Sequence, residues 1–215
     1  MSEPMKRYRE EAVTLPDGFA TIAPALVTNR VCVEILNTLQ PYNGDAEGGY
    51  RILNVHNPAQ PIKRDSDTGG YHVSADLADH PAVGVTLPGA QYLAAALGGR
   101  LPTVAEWEHA ATCGGRYRYP WGDEPPTREH ANHAEHVGST TETGQYPASP
   151  WGLYDMAGNV GEWCLTQADE EWDPAREYPV KGGAWNKPAA QLDPRFTRRK
   201  WGRIGTVGIG LRVIF

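Results

Sequence analysis

Apolar side chains recur every three or four residues in the first half of the chain, which is the pattern of helices with one buried face. One such stretch follows Thr28, a residue type that caps helices. Its apolar positions are Cys32, Ile35, Leu36 and Leu39. A second stretch follows Thr86, has Pro88 in its first turn and ends at Gly98-Gly99. We predict a helix in each stretch.

A third helix is indicated by Thr103 and Glu106, which have the spacing of a capping box. In that arrangement the hydroxyl and the carboxylate each bond a backbone N–H that the first helical turn leaves unpaired. Trp107 and Ala111 would then face the core, and Gly114-Gly115 would end the helix.

The rest of the chain lacks long periodic stretches. We predict short strands at 19–24, 50–53 and 70–73, a loop at 41–49, and mostly turns and short strands in the second half. Residues 1–15 are charged and predict a flexible leader. A single α+β domain over 16–215 is the simplest arrangement.

Composition supports a loop-rich protein, because the 215 residues include 24 glycines and 18 prolines. The net charge of −6 gives nucleic acid no general attraction, and no apolar run is long enough to span a membrane. The charged N-terminus has no apolar signal core, so we expect a cytoplasmic protein. Cys32, Cys113 and Cys164 are too far apart in sequence for a zinc ribbon and are interpreted as inert apolar residues.

Basic residues cluster near the C-terminus, where they form either a solvated face or a wall that binds a carboxylate or phosphate. They are Arg195, Arg198, Arg199, Lys200, Arg203 and Arg212. Arg212 lies in an apolar terminal stretch, so it requires a carboxylate or several carbonyl groups as partners.

The segment GLYDMAGNVGEW at 152–163 combines turn formers, aromatic residues and oxygen donors. Asn159 and Glu162 are three residues apart, with Gly158 and Gly161 beside them. Oxygen ligands suit hard divalent cations, and glycine lets a loop bring carbonyl groups around an ion. The segment is therefore a candidate cation site, although the same side chains could instead satisfy the amides of a turn.

Six sequence blocks occur in an order that resembles the formylglycine-generating-enzyme family, the sulfatase-modifying-factor domains with a variant C-type-lectin fold. The blocks are HPAVGV at 80–85, GRLPTVAEWEHAA at 99–111, YPWGDE at 119–124, the segment at 152–163, GGAWN at 182–186 and GLRV at 210–213. The resemblance runs from about residue 26 to the end. It implies a loop-rich α+β fold with short antiparallel strands and two or three helices.

Two departures from the family pattern affect the expected chemistry. Formylglycine generators carry a pair of copper(I)-binding cysteines after the Gly-Gly turn, whereas residues 187–203 contain no cysteine. Soft thiolates suit copper(I), and harder ligands do not easily replace them. We therefore expect the family scaffold without formylglycine-generating activity. In addition, Gly161 stands where the family usually has tryptophan, which opens space beside the loop or loosens it.

The resemblance also implies a structural Ca²⁺ held by the side chains of Asn159 and Glu162 and by nearby carbonyl groups, including that of Val160. A second family site would use Asn132, for which no second acidic ligand is evident.

A second metal hypothesis comes from spacing, because His130, His133 and His136 would share one face of a helix, with Glu135 nearby. Imidazole and carboxylate ligands suit iron, zinc or copper(II). The alternative interpretation is a surface loop.

In this family the functional groove lies beside the C-terminal segment, where tryptophan offers a flat wall and asparagine and arginine offer donors. The groove candidates are Trp185, Asn186, Arg195, Arg199, Trp201 and Arg203. We favour a metal- or oxygen-dependent tailoring oxidoreductase that acts on a small molecule or peptide, with iron or copper as the candidate metals. The alternatives are a ligand-binding variable protein, with Trp185, Asn186, Phe196 and Trp201 as contacts, and a degenerate scaffold subunit.

Overall fold

A computed structural model describes residues 3–39, 52–55 and 57–215. The loop predicted at 41–49 and part of the strand predicted at 50–53 lie outside these residues. The four α-helices of the described residues are α1 (Glu3–Glu10), α2 (Asn29–Leu39), α3 (Leu87–Ala96) and α4 (Val104–Ala111). None of these helices is long and apolar enough to cross a bilayer.

The predicted helix starts are confirmed at α3 and α4. The hydroxyl of Thr86 accepts a hydrogen bond from the Gly89 amide at 3.1 Å. At α4, the Thr103 hydroxyl accepts from the Glu106 amide at 3.2 Å, and the Glu106 carboxylate accepts from the Thr103 amide at 2.8 Å. The capping box therefore satisfies two backbone donors of the first turn, as its spacing predicts.

The flexible leader predicted over 1–15 is wrong for α1, which packs on α2. Met5 and Tyr8 are three residues apart and share the buried face of this helix. The Tyr8 hydroxyl also donates a hydrogen bond to the carbonyl of Ala25 at 3.0 Å. These contacts attach the charged helix to the rest of the fold. The domain boundaries stay a prediction.

The strands are short, as expected, and form one four-stranded sheet and two two-stranded pairs within the described residues. The two antiparallel pairs are β1 (Val13–Thr14) with β2 (Thr21–Ile22), and β3 (Lys63–Arg64) with β4 (Tyr71–His72). The larger sheet has the order β7-β6-β5-β8 and contains β5 (Gly161–Trp163), β6 (Glu177–Lys181), β7 (Arg198–Trp201) and β8 (Ile209–Gly210). Its β5–β8 pair is parallel and its other pairs are antiparallel.

The sheet and helices enclose a main apolar cluster in which Trp163 is fully buried. The indole nitrogen of Trp163 donates to the carbonyl of Val85 at 2.9 Å. All three cysteines are buried, and burial raises the pKa of the Cys32 thiol to about 12. Their positions agree with the interpretation that they are inert core residues.

Candidate functional site

Strand β5 brings the carboxylate of Glu162 against the guanidinium of Arg212 inside the protein. Both side chains are fully buried, and the two carboxylate oxygens accept from Nε at 3.0 Å and Nη2 at 3.1 Å. The same guanidinium donates to the carbonyls of Ala23, Pro24 and Tyr154. Arg212 therefore has both a carboxylate partner and carbonyl partners, the two kinds that the sequence analysis named for an arginine in an apolar stretch.

Asn159 is also fully buried, and it fastens the glycine-rich segment to another loop. Its carboxamide accepts from the amide of Thr141 and donates to the carbonyl of Thr141, both at 3.1 Å. The Asn159 carbonyl accepts from the Trp185 amide at 2.8 Å. The segment therefore links the Thr141 loop to the start of the C-terminal segment.

These contacts do not fit a calcium ion held by Asn159 and Glu162. Both carboxylate oxygens of Glu162 face a guanidinium, whose positive charge opposes a nearby cation. The Asn159 carboxamide oxygen is already an acceptor for the Thr141 amide. At the second family position, Asn132 has a buried side-chain oxygen without a hydrogen-bond partner among the described residues. Calcium binding, including a contribution from the Val160 carbonyl, stays a prediction from the sequence.

Chelation tests the calcium prediction directly. We expect EDTA dialysis to leave the thermal midpoint unchanged, because the internal pair and the Asn159 bonds already occupy the proposed ligands. Calorimetry before and after dialysis, with added CaCl₂ as the third condition, measures this. A midpoint that falls with EDTA and recovers with CaCl₂ would show that a calcium ion stabilises the protein.

Asp155 lies near this network and is also buried. Burial raises the pKa of its carboxyl, while the hydrogen bond from the Gly144 amide and the charge of Arg212 act in the opposite direction. A carboxyl whose pKa is higher in the folded state holds its proton more tightly there. Its contribution to stability is therefore lost as the pH rises from about 4 through the folded-state pKa.

Replacing Asp155 by asparagine should remove this pH-dependent loss of stability. The carboxamide can still accept from Gly144, and asparagine tolerates the left-handed backbone at this position, where φ is 54°. We expect Asp155→Asn to gain stability relative to the parent as the pH rises from about 4 to 7. Urea unfolding at several pH values measures this difference, and a difference that does not change with pH would contradict it.

The space beside Gly161 is filled by Arg198, which reaches across the sheet from β7. A Cβ on Gly161 would clash with the Arg198 guanidinium and would lie 2.7 Å from Val180 and 2.8 Å from the carbonyl of Gly183. Arg198 donates to that carbonyl at 2.9 Å, and burial lowers the pKa of its guanidinium. The missing tryptophan therefore leaves room for an arginine rather than an open space.

We expect Gly161→Ala to lower the free energy of unfolding by about 1–3 kcal/mol, because the added methyl group overpacks this contact. The double variant with Arg198→Ala should recover part of the loss, since it removes the side chain in the clash. Chemical unfolding of both variants measures this, and a stable Gly161→Ala variant would show that the space is open.

The three histidines do not converge as predicted, because their segment is not a helix. Left-handed backbone at Ala134 and Glu135, with φ of 53° and 59°, interrupts any helical turn. His130 instead stacks on Trp121, with ring centroids 4.7 Å apart.

The other two histidines, His133 and His136, lie next to each other but differ in their burial and hydrogen bonds. The rings of His133 and His136 are 5.8 Å apart, and burial lowers the pKa of His133. His136 uses one ring nitrogen at the carbonyl of His133 and the other at the hydroxyl of Tyr146. In the described part of the chain, no three His, Cys, Asp or Glu side chains are grouped to hold a metal ion. The predicted three-histidine site is therefore not formed.

The six residues predicted for the groove are also not gathered in one place. Arg195 is exposed and pairs with Asp193 at 2.7 Å. Arg199 donates to the carbonyl of Glu177, and Arg203 lies over the ring of Trp201 at 5.0 Å. These arginines are exposed and lie in the turn before β7, in β7 itself and in the turn that follows it.

Of the six, Trp185 alone lines a groove of about 600 Å³ in which several separate segments meet. Asn186, the next residue, has a buried side-chain oxygen with no partner among the described residues. Hydrogen bonds from the amides of Ala134 and Glu135 to the carbonyls of Lys187 and Trp185 hold the groove segment against the histidine loop. The sequence did not indicate the other walls, which come from Asn29, Val207 and the segments 58–63, 72–83 and 138–140.

Comparison with known proteins agrees with this fold. The model of the sulfatase-modifying factor enzyme 1-like domain matches residues 8–215. The chain therefore belongs to the formylglycine-generating-enzyme-like family, whose C-type-lectin-like fold the resemblance implied.

The curated relatives are longer proteins with several names. Serine/threonine-protein kinase Pkn1 of Chlamydia trachomatis is 41% identical over 184 residues, which are 85% of this chain and 27% of that protein. Formylglycine-generating enzyme of Mycobacterium tuberculosis is 41% identical over 121 residues, covering 50% of this chain and 38% of that enzyme. Hercynine oxygenase of the same organism is 34% identical over 157 residues, covering 60% of this chain and 35% of that protein. The chain thus spans well under half the length of these relatives.

Solved structures share the fold at low identity. PvdO from Pseudomonas aeruginosa has a TM-score of 0.67 and 21% identity, with 91% of this chain and 79% of that chain covered. Treponema denticola variable protein 1 has a TM-score of 0.62 and 17% identity, with 90% and 83% covered. At these identities the likeness concerns the fold alone.

Proposed function

We propose that this chain binds a small molecule or peptide for oxidative tailoring in the groove beside Trp185, and that it does not generate formylglycine. The exclusion of formylglycine generation depends on residues 187–203, which contain no cysteine where the resemblance implies the family's copper-binding pair. Similarity to both a formylglycine-generating enzyme and hercynine oxygenases supports an oxidative lineage.

The remaining cysteines are poor substitutes for a copper site. Cys32 lies in the main apolar cluster and Cys164 in a second one around Trp107. Burial raises the pKa of both thiols, so their reactive thiolate forms are disfavoured. A copper(I) ion needs thiolates that can lie side by side.

Within the groove, Trp185 supplies a flat wall against which an apolar or planar ligand can pack. His80 also lines the groove, and its Nδ1 lies 2.9 Å from the hydroxyl of Thr140. This contact orients an imidazole whose ring nitrogens can hydrogen-bond a ligand in the groove.

We propose that the activity uses an iron or copper ion. Because the three histidines do not form a site for either ion, we assign no reaction step to a metal at those residues. Metal analysis of the purified full chain, followed by oxygen uptake with iron(II) or copper and a panel of small molecules and cysteine peptides, tests the activity. We expect ligand-dependent oxygen uptake that Trp185→Ala abolishes and Trp201→Ala retains. Absence of uptake with every metal and ligand would contradict oxidative tailoring.

A non-catalytic binding module is the second candidate. One observation favours it, namely that relatives named as kinases match this chain over only a small part of their own length, 16% of the protein from Chlamydia caviae and 27% of that from C. trachomatis. Ligand binding in the groove without oxygen uptake would select this alternative.

The variable-protein form of a binding module has less support. Its proposed contacts divide into part-buried Trp185 and Asn186 and exposed Phe196 and Trp201, and Trp185 alone of them lines the groove.

A further inference from the structure

Two basic side chains lie directly opposite each other at the edge of the groove. Lys63 of β3 and His72 of β4 are paired in the register of the hairpin, and both line the groove. An anion between them would be paired by the Lys63 ammonium and could accept a hydrogen bond from a ring N–H of His72, which would compensate the Lys63 charge.

The described part of the protein provides little negative charge to compensate Lys63. Among the described residues that line the groove, none is aspartate or glutamate. Lys63 Nζ donates to the carbonyl of Pro58 at 3.1 Å, and no acidic side chain of the described residues is within ion-pair distance of it. Asp65 is electrostatically close to His72, but its carboxylate accepts from the amides of Asp67 and Thr68.

The remaining walls of the groove are largely apolar. They include Pro61, Leu77, Val83, Trp185 and Val207. A volume of about 600 Å³ is within the usual range of small-molecule sites. The ligand that matches these walls has an apolar body and carries its charge at the end near the hairpin.

The groove also has an unfilled hydrogen-bond acceptor. Asn29 is fully buried, and its side-chain nitrogen donates to the carbonyl of Leu77 at 2.8 Å. Its side-chain oxygen has no partner among the described residues. A buried acceptor without a donor is costly, so a ligand hydroxyl or N–H group would be favoured next to Asn29.

We infer that the groove binds a small organic acid, with its carboxylate between Lys63 and His72, its apolar body against Trp185 and a hydroxyl or N–H donor toward Asn29. This inference deepens the proposed function, because it names the ligand class of the same groove. It requires no turnover, so binding can succeed where oxygen uptake fails.

Matched probes separate the contributions of the ligand without changing the protein. 4-Hydroxyphenylacetate, 4-hydroxyphenylpropionate and 4-hydroxyphenylbutyrate present the same groups at three separations. We expect calorimetry to detect binding of at least one. Its carboxamide and its analogue without the hydroxyl should each bind on the order of tenfold more weakly, because each loses one polar contact.

Protein variants test the location. Lys63→Gln should weaken binding of the best probe on the order of tenfold while leaving binding of its carboxamide unchanged. Lys200→Gln removes the same charge from exposed β7 and should leave both affinities unchanged. The inference is overturned if no probe binds, if the acid and the carboxamide bind equally, if deletion of the hydroxyl has no effect, or if Lys200→Gln rather than Lys63→Gln weakens binding. Binding without oxygen uptake would support this inference and contradict only the oxidative part of the proposed function.

Discussion

Glu162→Gln should lower the free energy of unfolding by about 3–5 kcal/mol, the usual cost of leaving one charge of a buried pair unmatched. The guanidinium of Arg212 would keep its three carbonyl partners but lose the carboxylate that neutralises it. Both side chains are fully buried, so water cannot solvate the guanidinium once the carboxylate charge is removed.

The matched control is Glu11→Gln, which makes the same chemical change in an exposed pair. Arg7 Nε of α1 and Oε1 of Glu11, the residue after this helix, are 2.8 Å apart, and the two side chains are 78% and 52% exposed. We expect this variant to lose far less stability than Glu162→Gln, because water screens an exposed pair. Urea unfolding of both variants compares them, and equal losses would contradict a structural role for the buried pair.

Trp163→Ala should cost about 3–5 kcal/mol, because it opens a cavity in the main apolar cluster. It also leaves the carbonyl of Val85 without the indole donor that lies 2.9 Å away. The residue belongs to the most recognisable block of the sequence, yet the structure gives it a packing role.

Trp201→Ala is the control for this second variant. Trp201 is 37% exposed at the edge of the sheet, so its removal should cost less than about 1 kcal/mol. Trp163→Phe should have an intermediate effect, since it keeps most of the volume and loses the hydrogen bond. If both alanine variants lose the same stability, the assignment of the two tryptophans to core and surface is wrong.

Local signals in the sequence were sufficient for much of the fold. The Thr103–Glu106 capping box and the cap at Thr86 depend on contacts three residues apart, and both are confirmed. The leader was misjudged because Met5 and Tyr8 gave too short an apolar pattern to distinguish a helix from a flexible segment.

The candidate site depended on contacts that the sequence does not show. The partner of Glu162 is Arg212, 50 residues away. Because the sequence does not show this contact, the side-chain oxygens of Asn159 and Glu162 were interpreted as available to bind a metal ion. The histidine spacing suggested a shared face only if the backbone were helical, which the conformations of Ala134 and Glu135 prevent. Likewise, Lys63 and His72 meet only through the register of a hairpin.

The central claim is that this chain keeps the family scaffold without the copper chemistry that defines formylglycine generators. Mass spectrometry of a sulfatase-derived cysteine peptide, incubated with the full chain, copper(I) and oxygen, tests it most directly. We predict that the peptide cysteine stays unconverted, because no cysteine follows the Gly182-Gly183 turn before Arg203. Formation of the peptide aldehyde in proportion to the amount of protein would contradict the claim.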